Sequence, residues 1–317
     1  MLNPAERNMQ YMQQWIGLYC FLAKSNIVFD ISLEDFQLKA PEDQYLLALW
    51  QKSAEGECGL KCKKNNFPYI NALKSEHMTD QQLNAVYLTT QETDVCDRQS
   101  QRLGVIVLNI QLINNATHIF KDNGTAFPSV YAKDWNFMRG LLKHAPKLNL
   151  SNTMIIADNY LLYDSQKIQY NLIPILKILL PNQLDNNIPY QICFFCEDQR
   201  NMLRNRLPQL VKIIKQIRPL LNFQLMIYDA QDVFHDRAII TNNVWISCGH
   251  GFDIFSSRGP IDKATTINIV YPFLQSSIQW ADQAYLNLLR DAKAIDRHAS
   301  LGENYWGVRK HGCRLLD

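Results

Sequence analysis

The sequence has no apolar run long enough to cross a lipid bilayer. The longest such run, Trp15 to Ala23, covers nine residues, whereas a membrane-spanning helix needs about 20. This run also lacks the basic start that is typical of a signal peptide. We therefore expect a soluble, cytoplasmic protein.

The sequence also has little excess of either charge. Its 32 lysines and arginines stand against 30 acidic residues, a net charge of +2, which predicts no general attraction to nucleic acid or anionic lipid. Any polyanion must be held by a local group of residues. One basic group follows an apolar stripe in a predicted helix, a pattern typical of a solvated outer face, and comprises Arg204, Arg206, Lys212, Lys215 and Arg218.

The eight cysteines form no dense framework, which indicates reduced thiols rather than disulfides in a chain of this size. Cys193 and Cys196 have the spacing of a metal or redox pair, but they lie in a predicted buried strand, where alternation sends the two sulfurs to opposite faces. Cys58 and Cys62 have no nearby histidine partners. We expect no metal site and no cofactor.

Residues 1–145 are predicted to form an α+β region of unknown role. Apolar spacing favours helices at residues 6–24 and 41–52, and short β-rich runs occur at residues 85–89 and 104–110. Residues 91–102 form a polar segment between those two strands. No motif is recognisable here, and the boundary with the second domain is placed near residue 145.

Residues 146–317 alternate between strand and helix patterns, which predicts an α/β sheet with parallel strands. The predicted strands cover residues 153–162, 190–196, 223–228, 237–241, 244–247 and 266–271, and the predicted helices cover residues 171–180, 202–221 and 280–295. The tail at residues 304–314 mixes aromatic and basic residues. That composition suits stacking on nucleic acid, but a docked C-terminal segment is favoured.

The chemistry is concentrated in residues 234–253. On a strand, residues two apart project to the same side, so His235 and Arg237, at the start of a predicted hairpin, can face one anion together. The glycine-rich corner from Gly249 to Gly251 allows backbone to approach a ligand closely. These features predict a phosphate-binding site.

The spacing of these residues resembles one motif of the phospholipase D superfamily. The matching positions are His235, Arg237, Asn242 and Gly249, with arginine in place of the usual lysine and asparagine in place of aspartate. The resemblance implies a histidine nucleophile, a cation that steadies the phosphoryl oxygens, and a second histidine that protonates the leaving group without a metal. Because the sequence has a single copy, a complete site would need a homodimer with two His235 side chains face to face.

Longer phrases resemble the MIT C-terminal domain family, the phospholipase-D-like domain of an ESCRT-III-associated protein. They are His235-Asp-Arg, Gly-His-Gly-Phe-Asp253 and Ile-Ile-Ala-Asp158-Asn-Tyr160, within residues 152–273. This resemblance implies a phospholipase-D-like mixed sheet flanked by helices, an anion-binding and noncatalytic role, and, from bacterial members, phage defence. His250 stands where the family has arginine, and its charge is only partial near neutral pH.

Three functions are open on the sequence alone. The first is a noncatalytic binder of a phosphate-bearing ligand, either nucleic acid, nucleotide or anionic lipid, through His235, Arg237, Gly249, His250, Gly251 and Asp253. The second is a metal-independent phosphodiesterase or nuclease that uses His235, Arg237 and Asn242. The third is a scaffold whose N-terminal region binds a partner chain. For His235, a structural role with Asp236 or Asp253 as hydrogen-bond partner is the competing interpretation.

Overall fold

The structure is a computed structural model that describes residues 26–30, 78–109, 124–126, 134–142, 149–231, 233–235, 237–260, 266–270, 279–307 and 312–316. The described helices are α1 Asp80–Leu83, α2 Thr93–Leu103, α3 Phe137–Leu142, α4 Ser165–Lys167, α5 Ile173–Leu179, α6 Leu203–Ile217 and α7 Gln279–Arg297. The described strands are β1 Asn26–Asp30, β2 Ala85–Thr89, β3 Ile106–Asn109, β4 Gly124–Ala126, β5 Thr153–Ala157, β6 Tyr190–Cys196, β7 Phe223–Asp229, β8 Arg237–Thr241, β9 Trp245–Cys248, β10 Phe255–Ser256, β11 Gly259–Pro260, β12 Ile267–Val270 and β13 Tyr305–Gly307.

Eight of these strands form one mixed sheet, in the order β13-β7-β6-β5-β8-β9-β12-β4. The three adjacent strands β5, β6 and β7 are parallel, and every other pairing in the sheet is antiparallel. The chain is therefore a mixed α/β protein, as the alternating pattern predicts. The predicted parallel strands are confirmed for β5 to β7.

The sheet is buried on both faces. Every residue of β6 is buried, and alternation along the strand divides its side chains between two hydrophobic clusters. Cys196 belongs to the first cluster and Cys193 to the second. The prediction that these two sulfurs point to opposite faces is confirmed, and burial raises the pKa of both thiols.

Helices cover the two faces unequally. α5 and α6 connect the parallel strands and pack on the first face, where Leu176, Leu210 and Ile214 are buried. α7 packs on the second face through Leu288 and Ala292. Between α4 and α5 the chain makes a π-helical turn, Ile168–Leu172, so the predicted helix at residues 171–180 begins earlier in the structure.

Residues 26–30 and 78–109 form a smaller unit beside the main sheet. β1, β2 and β3 make a parallel three-stranded sheet, and the predicted strand at residues 85–89 is confirmed. The polar segment before β3 is the helix α2, which the sequence analysis did not predict. Its apolar contacts are few, because only Cys96, Ser100 and Leu103 of this helix are buried.

The smaller unit and the main sheet share one hydrophobic cluster. Gly104, in the left-handed conformation, lies against the backbone of Ser151, where a side chain would collide. Asn152 also donates to the carbonyl oxygens of Leu83, Leu103 and Gly104 at 2.7–3.2 Å. In addition, β4, which precedes residue 145 in the sequence, is an edge strand of the main sheet. The boundary near residue 145 stays a prediction.

The described part of the tail is docked, as expected. β13 pairs with β7 at one edge of the sheet. Arg314 is buried: its Nε donates to Asp80 Oδ1 at 2.8 Å, and its Nη1 donates to Asn152 Oδ1 at 2.7 Å. The C-terminal segment therefore ties α1 to the amino end of β5.

Several predicted features lie outside the described residues, namely the helices at residues 6–24 and 41–52 and the Cys58–Cys62 pair. Over the portion that the structure does describe, the helices are all too short or too polar to cross a membrane.

Candidate functional site

The site lies where β5 ends and β8 begins. β5 and β8 are antiparallel, with Ala157 opposite Ala238, so Asp158 and Arg237 lie beside this end of the pair. β8 and β9 are also antiparallel, and Arg237 is opposite Cys248. The turn after β9, from Gly249 onward, therefore reaches the same edge of the sheet. In open α/β sheets, the carboxyl ends of parallel strands are the usual place for a ligand.

Asp158 organises this edge of the sheet. Its side chain is fully buried. Oδ1 accepts hydrogen bonds from the backbone N–H groups of Tyr160 and Leu161 at 2.8 and 3.0 Å, and Oδ2 accepts one from Phe252 at 2.8 Å. Burial raises the pKa of the Asp158 carboxyl above its ordinary value, and the charge of Asp253 adds to the rise, although the three backbone hydrogen bonds oppose it.

Gly251 fits between the side chains of the site. Its φ of +96° favours glycine, and a Cβ atom at this position would lie 3.2 Å from Asp158 Oδ2 and 3.3 Å from Asp253 Oδ1. The same Cβ would lie 3.8 Å from Arg237 Cγ. Two of the predicted residues, Arg237 and Asp253, are thus brought together around the predicted Gly251.

Lys167 and Tyr160 complete the group. Lys167 Nζ lies 2.8 Å from Asp253 Oδ2, and the Asp253 side chain is almost fully buried. The Tyr160 ring contacts both cations, with Lys167 Nζ and the Arg237 guanidinium carbon each 5.5 Å from its centroid. This arrangement contains two carboxylates and two cations, so its formal charges balance when all four groups are ionised.

Arg237 differs from Lys167 because no carboxylate is bound to it among the described residues. Its Nη1 donates to the backbone carbonyl of His235, which is two residues away. Its Nε is buried and has no hydrogen-bond partner in the described part of the chain. A buried donor without a partner costs roughly 1–3 kcal/mol, so an acceptor oxygen placed at Nε would remove this cost.

The two predicted histidines are exposed. His235 precedes β8, and His250 lies in the turn after β9. Since Arg237 is opposite Cys248, both histidines leave the same end of the antiparallel pair, each two residues beyond it. Gly249 is also exposed, and no atom within 4 Å would meet a Cβ there. Of the two suggested partners of His235, Asp236 lies outside the described residues, and Asp253 forms the ion pair with Lys167.

Asn242 does not belong to this group of residues. It lies at the other end of β8, five positions from Arg237, which is about 16 Å along a strand. Its Oδ1 accepts from the backbone N–H of Asn152 at 2.9 Å, and its Nδ2 donates to Asn84 Oδ1 at 3.2 Å. The structure thus places Asn242 in the buried polar network that joins the smaller unit to the main sheet, apart from the predicted catalytic residues His235 and Arg237.

The structure places three further residues in this group that the predicted site did not include, namely Asp158, Tyr160 and Lys167. Asp158 and Tyr160 entered the sequence prediction only through the resemblance, although a polar Asp-Asn-Tyr directly after a buried strand is a signal in its own right. Nothing in the sequence singles out Lys167. No set of three or more His, Cys, Asp or Glu side chains within the described ranges is arranged to hold a metal ion.

Comparison of the sequence with protein-family models gives no match, and comparison with curated proteins gives none either.

Proposed function

We propose that this protein is a noncatalytic, phospholipase-D-like binder of a phosphate-bearing ligand, held at the carboxyl end of β5. The observation that carries the proposal is the buried Nε of Arg237, unpartnered within the described residues, beside the exposed His235. A guanidinium binds phosphate oxygens through two N–H groups at once. The Gly249–Gly251 turn lies at the same edge, and glycine at position 251 keeps a Cβ atom away from the Arg237 side chain.

The charges of the site favour a singly charged phosphodiester over a phosphate dianion. Asp253 neutralises Lys167, so Arg237 is the main source of positive charge. Asp158 and Asp253 lie close behind Gly251 and disfavour a second negative charge on the ligand. The balanced charges also argue for binding without turnover, because phosphoryl transfer needs an excess of positive groups where negative charge develops.

The binding proposal is tested by NMR. The Nε–H resonance of Arg237, assigned with Arg237→Lys, is followed while diethyl phosphate and then inorganic phosphate are added. We expect a saturable shift that is stronger with the diester, and a loss of binding in Arg237→Ala of roughly tenfold to a hundredfold, since a charged hydrogen bond contributes about 1.5–3 kcal/mol. Arg297→Ala, which removes an exposed arginine at the end of α7, is the matched control.

An unchanged Nε–H resonance at high concentrations of both ligands would overturn the proposal. It would leave His235 and Arg237 as structural residues and favour the scaffold function, in which the N-terminal region binds a partner chain. A role in phage defence stays a prediction from the resemblance.

Phosphodiester hydrolysis is a second candidate, and one observation favours it. His235 and His250 leave the same end of the β8–β9 pair, so one chain offers two exposed imidazoles near Arg237. One imidazole would attack phosphorus, and the other would protonate the leaving oxygen as the phosphorus–oxygen bond breaks. Water would then release the phosphoryl group from the first imidazole.

Variants distinguish a hydrolytic site within one chain from a hydrolytic site that is shared by two chains of a homodimer. Hydrolysis of bis(p-nitrophenyl) phosphate is measured with EDTA present in His235→Ala, His250→Ala and the control His298→Ala. A site within one chain loses activity in both of the first two variants. A homodimer that pairs two His235 side chains loses activity in His235→Ala but keeps it in His250→Ala. No hydrolysis by the unmodified protein leaves the noncatalytic proposal in place.

A further inference from the structure

The helices α5 and α6, which cover the first face of the sheet, have a strongly basic outer surface. Neither helix contains an acidic residue. From Gln199 to Gln224 the sequence contains six arginines and lysines and neither aspartate nor glutamate. The exposed side of α6 presents Arg204, Lys212 and Lys215. Their spacing of eight and three residues puts all three on one face of the helix, over a length of about 16 Å.

Neighbouring elements extend this surface. Lys177 of α5 and Arg139 of α3 are exposed. Arg218, just after α6, donates to the carbonyl oxygens of Leu180 and Lys177 at 3.1 and 2.6 Å, so it anchors its guanidinium at the end of α5. We call the six residues the basic face: Arg139, Lys177, Arg204, Lys212, Lys215 and Arg218.

These cations are not neutralised within the described part of the chain. No ion pair there involves any residue of the basic face. Of the bordering acids, Asp185 pairs with Arg102 at 3.2 Å, and Asp198 accepts the backbone N–H of Leu203 at 3.0 Å without forming an ion pair with the basic face in that part of the chain. Partial burial, together with the charge of Arg139, lowers the pKa of Arg218. Like charges are therefore held close together without a balancing carboxylate among the described residues.

We propose that the basic face binds the phosphate backbone of double-stranded nucleic acid. A row of cations along a helix matches a polyanion whose charges are spaced regularly, and each neutralised phosphate releases counterions. The site would take phosphates of a duplex without reading its sequence. The basic face contains neither Arg237 nor His235, so the proposal does not rest on the phosphate site at the end of β5.

A membrane fits this surface less well. Helices that lie on bilayers insert apolar side chains next to their cations, but the apolar side of α6 already packs in the core through Leu203, Leu210 and Ile214. The one large apolar side chain exposed nearby in the described residues is Leu220. Single-stranded nucleic acid is also disfavoured, because it is held by stacking on aromatic rings, and the large apolar side chains exposed within the described ranges include no aromatic one.

The test is fluorescence anisotropy of a labelled 20-base-pair DNA duplex over a series of salt concentrations. The triple variant Arg204→Glu, Lys212→Glu, Lys215→Glu is compared with Arg98→Glu, Arg290→Glu, Arg297→Glu, which makes the same change in net charge at exposed positions on α2 and α7. We expect at least tenfold weaker binding in the first triple variant and less than threefold in the second. The slope of log affinity against log salt should fall in magnitude by about 2–3 in the first only.

Three results would overturn the proposal: no binding of the duplex by the unmodified protein at low salt, equal losses in both triple variants, or binding to phosphatidylserine vesicles without binding to the duplex. Circular dichroism checks that each variant is folded. If charge reversal unfolds the chain, Lys212→Gln with Lys215→Gln replaces it, and at least threefold weaker binding is expected against unchanged binding in Arg290→Gln with Arg297→Gln.

Discussion

The Asp158 carboxylate accepts the backbone N–H of Phe252 at 2.8 Å, across 94 positions of sequence. This bond ties the end of the central strand β5 to the turn after β9. Both residues are buried, so the bond is shielded from water. The position of Gly251, which lies against the Arg237 side chain, therefore depends on a carboxylate at the end of β5.

Asp158→Asn is expected to change how stability depends on pH. Because burial raises the pKa of Asp158 in the folded protein, the folded state holds this proton more tightly than the unfolded state. The contribution of Asp158 to the free energy of unfolding is therefore greatest below pH 3.8, the ordinary pKa of an aspartate. It falls as the pH rises from there through the raised pKa of the folded protein. The asparagine amide of the variant does not titrate. Urea unfolding at a series of pH values should show the stability of the unmodified protein relative to the variant decreasing with pH, and parallel curves would contradict this.

Gly251→Ala is expected to destabilise the fold by about 1–2 kcal/mol, because a residue with a Cβ is strained at positive φ. The added methyl group would also press on Asp158 Oδ2, at 3.2 Å. Gly249→Ala is the matched control, since nothing lies within 4 Å of its Cβ position. Thermal unfolding of the two variants checks this. Equal effects at both positions would mean that the turn is not held in the conformation described.

Asn242→Asp is expected to destabilise the protein by about 1–3 kcal/mol, because a carboxylate loses the donor that the amide presents to buried acceptors. Nδ2 now donates to Asn84 Oδ1 at 3.2 Å and to the carbonyl of Leu83 at 3.4 Å. Binding of diethyl phosphate should change less than twofold. Asn205→Asp, at an exposed position of α6, is the control for chemical unfolding. A gain of phosphodiesterase activity in Asn242→Asp would restore its predicted catalytic role.

Arg314→Ala is expected to cost about 2–4 kcal/mol, because it removes hydrogen bonds from a buried cation, each of which contributes about 1.5–3 kcal/mol, while Asp80 is only partly buried. Asp80 would lose a bond of 2.8 Å, and Asn152 would lose the donor to its side-chain oxygen. The variant Arg297→Ala, at an exposed position, should have a free energy of unfolding within about 0.5 kcal/mol of that of the unmodified protein. Urea unfolding measures both. A small loss in Arg314→Ala would show that the tail does not contribute to the stability of the main sheet.

Much of the fold follows from periodicity. β6 is buried on both faces and reads as a continuous apolar strand, so its bounds and the opposite orientations of Cys193 and Cys196 could be predicted. α2 could not, because its sequence is mostly polar and its few buried residues give a weak pattern. The strand predicted at residues 153–162 ends at Ala157 instead, since Asp158 bonds the N–H groups of the next residues and turns the chain.

The site could be predicted only in part. His235 and Arg237 are close in sequence, but His235 precedes β8, so strand alternation does not fix the direction of its side chain. The contact between them is made by the Arg237 guanidinium and the His235 backbone carbonyl. The pairing of Lys167 with Asp253 depends on where the π-helical turn positions α4 beside the turn after β9, which no local pattern contains. Asn242 had the spacing of a catalytic residue, but its position at the far end of β8 gives it a structural role.

Both edges of the main sheet are closed by strands of three residues, β4 and β13. Such short edges present few free backbone groups to another chain. The described residues therefore leave little opportunity for two copies to join their sheets into one. A homodimer that met at these two described edges would be held mainly by side-chain contacts, and surface substitutions rather than edge-blocking prolines would dissociate it.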